Sequence, residues 1–371
     1  MDILPFFGPL HIEQNLLGCT GELVKGTGLD DVLRSAGVLM IGITTAFCDV
    51  NNIKKARYAG QVMAPVLQTL LHDSYRESTG KTTVDGLELW VTEQDDTNFK
   101  YFYGILKHLL KINVFISSIR NAQFDLFISS LEELCPILFS LDHTHYARWI
   151  PVFVNDLKIL KVSDPELHEE FAKGYFVTSK SKVPFSKMGF DQVLEQNNKI
   201  IKSRAGLEDL NKSETSFLQR LENVMPEVQD FRERAEQDKS GSPQRHKEAM
   251  SSFVKRYIGD CQAVYGQFST NPFLMKKPTK INSDTVMPPC VVEDMAKVFT
   301  IGITQYNEYK TTRFITGEED VINTKITKNL LKLPKDADKH MVVNPVKVLP
   351  CAVCNTHKTQ ECCDTSSTIS I

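Results

Sequence analysis

The chain has 371 residues, of which 42% are hydrophobic and 24% charged, and its net charge is −3. That balance supports a sizeable buried core and excludes a uniformly basic nucleic-acid coat, while permitting a local basic face. No apolar run approaches the roughly 18–20 residues of a membrane span, and Met1-Asp2-Ile3-Leu4-Pro5 lacks the basic start of a secretory signal, so no membrane partner is expected.

Ile3-Leu4-Pro5-Phe6-Phe7-Gly8-Pro9-Leu10-His11-Ile12 is short, apolar and broken by Gly and Pro, which predicts one buried strand running into a helix around 13–17. A glycine-containing turn follows at Gly26-Thr27-Gly28, with Asp30 and Asp31 favouring a helix start. From Ile53 to Glu77 the apolar positions Ala56, Ala59, Val62, Met63, Val66, Leu67 and Leu70 recur at helical spacing. Pro65 inside that run predicts a kink or a split. Residues 78–96 read as an exposed loop around a short apolar piece at Leu87–Val91. A dense helical block then runs from Asn98 to about Leu160, divided by Pro136 and Pro151, as a bundle with its own core.

Ser163 or Asp164 caps the next helix, with Pro165 in its first turn and an end near Gly174. Tyr175-Phe176-Val177-Thr178 predicts a strand, 180–187 a basic loop, and 190–203 an amphipathic helix. Residues 207–267 are rich in Glu, Lys, Gln and Arg, two helical stretches split by Ser240-Gly241-Ser242-Pro243. A proline-containing linker at 271–289 leads to a helix over 291–314, and the end, from Asp336, is polar and expected to be disordered. Nine cysteines without a signal indicate an intracellular, reducing compartment, with Cys19, Cys48, Cys135 and Cys261 as small core residues.

The common catalytic signatures are missing: no phosphate loop ending in Gly-Lys-Ser/Thr, no complete Gly-x-Gly-x-x-Gly, no Gly-x-Ser-x-Gly, no His-Glu-x-x-His. Three segments concentrate polar groups instead. In His11-Ile12-Glu13, a strand would aim His11 and Glu13 to one side. Asp142-His143-Thr144-His145-Tyr146-Ala147-Arg148-Trp149 is dense in titratable side chains. On a helix from Asp191, the residues Asp191, Glu195 and Asn198 share a face. Carboxylates and histidines converging from separate elements are what Mg²⁺ requires, and two such ions can drive phosphoryl transfer. The plainer reading gives Asp142 a cap, Arg148 an ion pair and Trp149 a place in the core.

The same segments carry a resemblance. Leu141-Asp142-His143-Thr144-His145-Tyr146-Ala147-Arg148-Trp149-Ile150-Pro151-Val152 is similar to the most distinctive block of a family of transposon-derived animal proteins, Leu-Asp-His-Thr-Asn-Tyr-Ala-Arg-Trp-Ile-Pro-Val. His11-Ile12-Glu13 resembles that family's Gly-Gly-Leu-His-Ile-Glu segment, and Ala56-Arg57-Tyr58-Ala59-Gly60-Gln61-Val62 its Arg-Tyr-Ala-His-Gln-Val helix. Pro165-Glu166 through Gly174, Phe185-Ser186, Asp191 and Glu195-Gln196-Asn197-Asn198 follow in the family order.

The family resembles transposases with a ribonuclease H-like (DDE-type) core. The resemblance implies an α-rich α/β fold, with a remnant of that core at 1–50 and 161–206 and a helical insertion at 51–160. A helical region at 207–335 and a cysteine-rich tail at 336–371 complete the expected organisation. It also implies acidic residues that bind Mg²⁺ for DNA cleavage. Glu195 then stands for the final carboxylate and His11 or Glu13 for the middle one, with Asp142 a further remnant candidate.

Departures from the pattern point away from catalysis. The family's acidic Phe-Asp-Gln-Pro-Leu-Tyr strand has no counterpart in this sequence, its His is Gly60, and its Asn is His145. The expectation is therefore a transposon-derived protein without strand-transfer activity that retains nucleic-acid binding. A helical protein–protein interaction module is the rival, and an active metal-dependent transposase given without its first strand is the third reading. Lys180, Lys182, Lys187, Lys199, Lys202 and Arg204 flank the final-acid helix as a candidate DNA-backbone contact, against the alternative of solvated lysines on loops. Cys351, Cys354, His357 and Cys362 could hold one Zn²⁺, against an unstructured tail; the spacing resembles a zinc knuckle shortened by two residues.

Overall fold

Residues 98–120 carry aromatic or aliphatic side chains on nearly every helical face, and the chain packs around them. The computed structural model describes residues 6–25, 27–39, 52–141, 143–179, 183–201, 246–268, 271–274 and 289–316. In chain order these form α1 (Pro9–Val24), α2 (Leu29–Ser35), α3 (Ile53–Thr79), α4 (Val84–Thr92), α5 (Thr97–Arg120), α6 (Phe124–Ser140), α7 (Thr144–Ser163) and α8 (Pro165–Glu170). There follow β1 (Thr178–Ser179), β2 (Lys187–Met188), α9 (Phe190–Ile201), α10 (Ser251–Gly266) and α11 (Pro289–Lys310).

α5 touches α1, α3, α6 and α11. Asp96 caps it by accepting from the Phe99 N–H at 3.1 Å. Phe99, Tyr101, Ile105, Leu109, Ile112 and Phe115 are all buried along its length, each worth about 1.5–3 kcal/mol of transfer free energy. A second concentration of aromatic rings ties the start of the chain to α6 and α7. Phe6 lies 5.2 Å from Phe153 and 5.6 Å from Phe171, and Phe127 lies 5.2 Å from Phe176, between ring centroids. One hydrophobic cluster runs from Ile12 in α1 to Val298 in α11.

Three prolines sit inside helices and split none of them: Pro65 in α3, Pro136 in α6 and Pro151 in α7. At Pro65 the reason is visible. Proline has no N–H for the carbonyl four residues earlier, which is that of Gln61. The Tyr257 hydroxyl of α10 donates to that carbonyl at 3.0 Å. A neighbouring helix thus replaces the missing bond, so α3 runs unbroken for 27 residues.

Several sequence expectations are corrected. The segment 9–12 is helical rather than extended, because Pro9 takes the first helical position, where a missing N–H costs nothing. Residues 84–92 form α4 instead of a loop, and Trp90 is packed against Tyr75 and Phe99 at 5.6 and 5.3 Å. Of the predicted 175–178 strand only Thr178 pairs, antiparallel with Met188, and Ser179 beyond it pairs with Lys187. Tyr175 instead closes a wide helical turn over Phe171–Tyr175. The molecule is mostly helical, and this two-stranded ribbon is the one sheet among the described residues. No described helix is long and apolar enough to cross a membrane. Cys19 and Cys135 are buried in the core as expected, Cys261 is half-buried, and Cys48 lies outside the described residues.

Candidate functional site

The three polar segments of the sequence do meet, at a seam between α1, α7 and α9. Asp191, at the start of α9, accepts the His11 backbone N–H at 3.1 Å and the His11 Nδ1 at 2.9 Å. His11 is the third residue of α1, whose own capping residue Gly8 supplies no side chain. Asp191 therefore caps α1 from a distant part of the chain. The carboxylate reaches this position between two glycines. A Cβ at Gly8 would come within 2.2 Å of it and one at Gly189 within 2.4 Å.

Further along α1, the Asn15 side chain donates to the His11 carbonyl at 2.9 Å and lies 3.1 Å from His143 Nδ1. His143 Nε2 stands 3.5 Å from Glu22. Tyr146 joins the seam beside Asn15 and Asp191. Burial and the Asp191 charge raise its phenol above the ordinary value, although the bond to Asn15 acts the other way.

Glu13 does not share this seam, because residues two apart on a helix lie about 200° apart rather than on one side. It turns inward to Arg57 of α3, with Nε to Oε1 at 2.5 Å and Nη2 to Oε2 at 2.6 Å. Both side chains are nearly inaccessible, at 5% and 13% exposure. Burial alone would lower the Arg57 value; the charge and hydrogen bonds of Glu13, with the charge of Glu248, outweigh it and raise it. Both Glu13 oxygens are thereby committed, and Asp191 is committed to holding a helix start.

The remaining sequence candidates do not converge on the seam. Glu195 is exposed on α9, Lys187 is exposed on β2, and Lys199 falls within α9. Asp142, Lys180, Lys182, Lys202 and Arg204 lie outside the described residues, as do Cys351, Cys354, His357 and Cys362. Among the described residues no group of three or more His, Cys, Asp or Glu side chains is arranged to hold a metal ion.

A different site emerges between the start of α3 and α10. A cleft of about 680 Å³ is lined by six cations, Lys54, Lys55, Arg57, Arg120, Lys247 and Arg256, against the acids Glu248 and Asp260. Glu13 neutralises Arg57 from behind, and Glu248 pairs with Arg120. Asp260 accepts from the Tyr58 hydroxyl, and burial together with that bond pushes the phenol up to about 12. Lys54, Lys55 and Lys247 are exposed and have no acidic partner among the described residues.

Two of these lysines occupy an unfavourable place. Lys54 and Lys55 stand in the first turn of α3, which has no acidic residue, beside the positive end of the helix dipole. Such a placement costs about 0.3–1 kcal/mol per charge. It is compensated when an anion docks there. Arg256 is layered over the Tyr58 and Phe253 rings, 5.2 Å from each centroid.

A second hollow, about 910 Å³, adjoins the first and shares Gln61, His246, Glu248 and Phe253 with it. Its wall includes Phe185, held at φ 64° in the left-handed region. A bulky side chain there costs about 1–3 kcal/mol. The Phe185 ring lies 4.9 Å from the Arg120 guanidinium and meets His246 edge-on at 5.6 Å. Sequence reading passed over this cleft because its residues come from 37–61, 120 and 246–260. The one local signal was Lys54-Lys55 in the first turn after the Asn52 cap, basic where helices favour acid.

A family model described as a domain of unknown function, DUF8702, matches residues 46–364. The chain belongs to that family. No curated protein and no solved structure matches it. Within the DUF8702 match fall Lys54 through Arg256 and the seam residues His143, Tyr146 and Asp191, whereas α1, with His11 and Glu13, precedes it.

Proposed function

We propose that the chain is a transposon-derived protein that binds nucleic acid and does not cut it. The observation that carries binding is the cleft, where Lys54, Lys55 and Lys247 are exposed without an acidic partner among the described residues, in a chain whose net charge is −3. Phosphates neutralised by such a group release counterions, the main source of sequence-independent affinity. Support for descent from a transposase with a ribonuclease H-like core comes from the order of the motifs at 11–13, 56–62, 141–152 and 191–198. Support for inactivity comes from the acids themselves: Glu13 is locked to Arg57, and Asp191 holds the start of α1.

The test is DNA binding and cleavage across a salt series, with and without Mg²⁺ or Mn²⁺, on wild type, Glu195→Ala and Lys54→Glu/Lys55→Glu/Lys247→Glu. Binding without cleavage is expected, unchanged in Glu195→Ala and lost in the triple variant. The salt slope should approach about 0.9 per phosphate contacted. Metal-dependent cleavage that disappears in Glu195→Ala would overturn the inactive reading.

One observation favours the rival protein-interaction module. Phe190 and Leu194 of α9 are 50% and 62% exposed, an apolar pair one turn apart on an amphipathic helix. A chain that ignores DNA at low salt, and in which Leu194→Ser alone disrupts a stable complex with a protein, would favour that reading.

A further inference from the structure

The nucleic-acid reading concerns charge, and the second hollow adds a different chemistry to it. Where the basic cleft ends, the wall turns apolar: Ala64, Pro65, Ile116, Phe185, Phe253 and Tyr257 line the continuation. Phe253 stands at the junction and lines both parts. Cations and rings alternate along this path. Arg256 lies over Tyr58 and Phe253, Tyr58 meets Phe253 edge-on at 6.0 Å, and Arg120 lies over Phe185. Phe185, whose ring is on this wall, has its backbone at φ 64°.

We infer that the groove takes single-stranded nucleic acid, with the phosphate backbone along Lys54, Lys55 and Lys247 and an unstacked base in the hollow beside Phe253 and Phe185. The inference rests on the nucleic-acid reading and goes beyond it. In a duplex the base faces are covered by their neighbours, so only the backbone and groove edges are presented. A splayed base offers a flat π-face, which an aromatic wall accepts whatever the sequence. A purely electrostatic binder has no use for an aromatic hollow next to its cations, and a purely apolar docking groove has no use for the cations.

The experiment measures affinity of the full chain for a 20-nucleotide thymidine strand and for a duplex of equal length, at one salt concentration. Wild type should prefer the single strand by about tenfold or more, the size of one stacked base. Phe253→Leu keeps apolar bulk but removes the π-face and should erase that preference, whereas Phe253→Tyr should keep it. Equal affinity for strand and duplex in wild type overturns the inference and leaves the nucleic-acid reading intact. A preference that survives in Phe253→Leu also overturns it. Binding to neither form overturns the underlying reading itself. Melting temperatures of the two variants, matched to wild type, identify a change in preference as a change of the groove and not of folding.

Discussion

Around α5 and in the cleft, charge is treated in opposite ways. In the core the one buried carboxylate among the described residues, Glu13, has both oxygens on Arg57, and the buried imidazole of His108 is held neutral. Less deeply, Glu132 binds both Lys158 and Lys310. In the cleft, Lys54 and Lys55 adjoin at the positive end of α3, with Lys247 and Arg256 also on its wall. Folding alone would favour an acid at that helix start. The difference separates charges that the fold uses from charges that it carries for something else.

Breaking the rule in the core should have the largest effect. Glu13→Ala leaves Arg57 buried and unpaired, which should cost about 3–5 kcal/mol in urea unfolding. Adding Arg57→Met to it should return part of that loss; no recovery would mean that packing, not charge, holds the contact.

A second test uses pH. Burial holds His108 down from 6.5 to about 4, so it stays neutral when folded while the unfolded chain takes up a proton first. Its contribution is intact above pH 6.5 and is lost as the pH falls toward 4, by about 3 kcal/mol in total. Stability measured against pH should therefore fall more steeply for wild type than for His108→Gln over this window; parallel curves would remove His108 from the account.

Tyr257→Phe removes the hydroxyl that replaces the proline-deleted bond at Gln61. It should cost about 1–2 kcal/mol in thermal unfolding, and an unchanged melting temperature would mean that water takes its place. The smallest effect is the most telling. Lys54→Ala/Lys55→Ala should leave the fold equally stable or raise its stability by up to about 1 kcal/mol, while weakening DNA binding. Destabilisation by that pair would make the cleft lysines part of the scaffold.

Much of the helical framework was legible in the sequence because it rests on local rules. The spacing of Phe124, Phe127, Leu131 and Leu134, the Asp164-Pro165 start and the amphipathic run from Phe190 all give the observed elements. Local rules failed where a distant partner decides. Apolar residues and Gly8-Pro9 mimic a strand at the N-terminus, but a cap donated by Asp191 allows a helix from Pro9. Pro65 reads as a break until Tyr257 is seen to replace its bond. The convergence of His11, His143 and Asp191 was visible as three polar segments, yet their geometry is that of a fastening. The cleft was hidden because its cations are separated by up to 202 residues, from Lys54 to Arg256.

That fastening sets an order of events during synthesis. α1 is made well before the carboxylate that completes its first turn, which lies 180 residues further on. At about 5–20 residues per second, roughly 10–35 s pass before Asp191 is made. Until then the start of α1 lacks its side-chain cap and His11 lacks its anchor. A nascent chain arrested before Asp191 should accordingly be open to proteolysis around Pro9–Ile12, and one arrested well after it should be protected there.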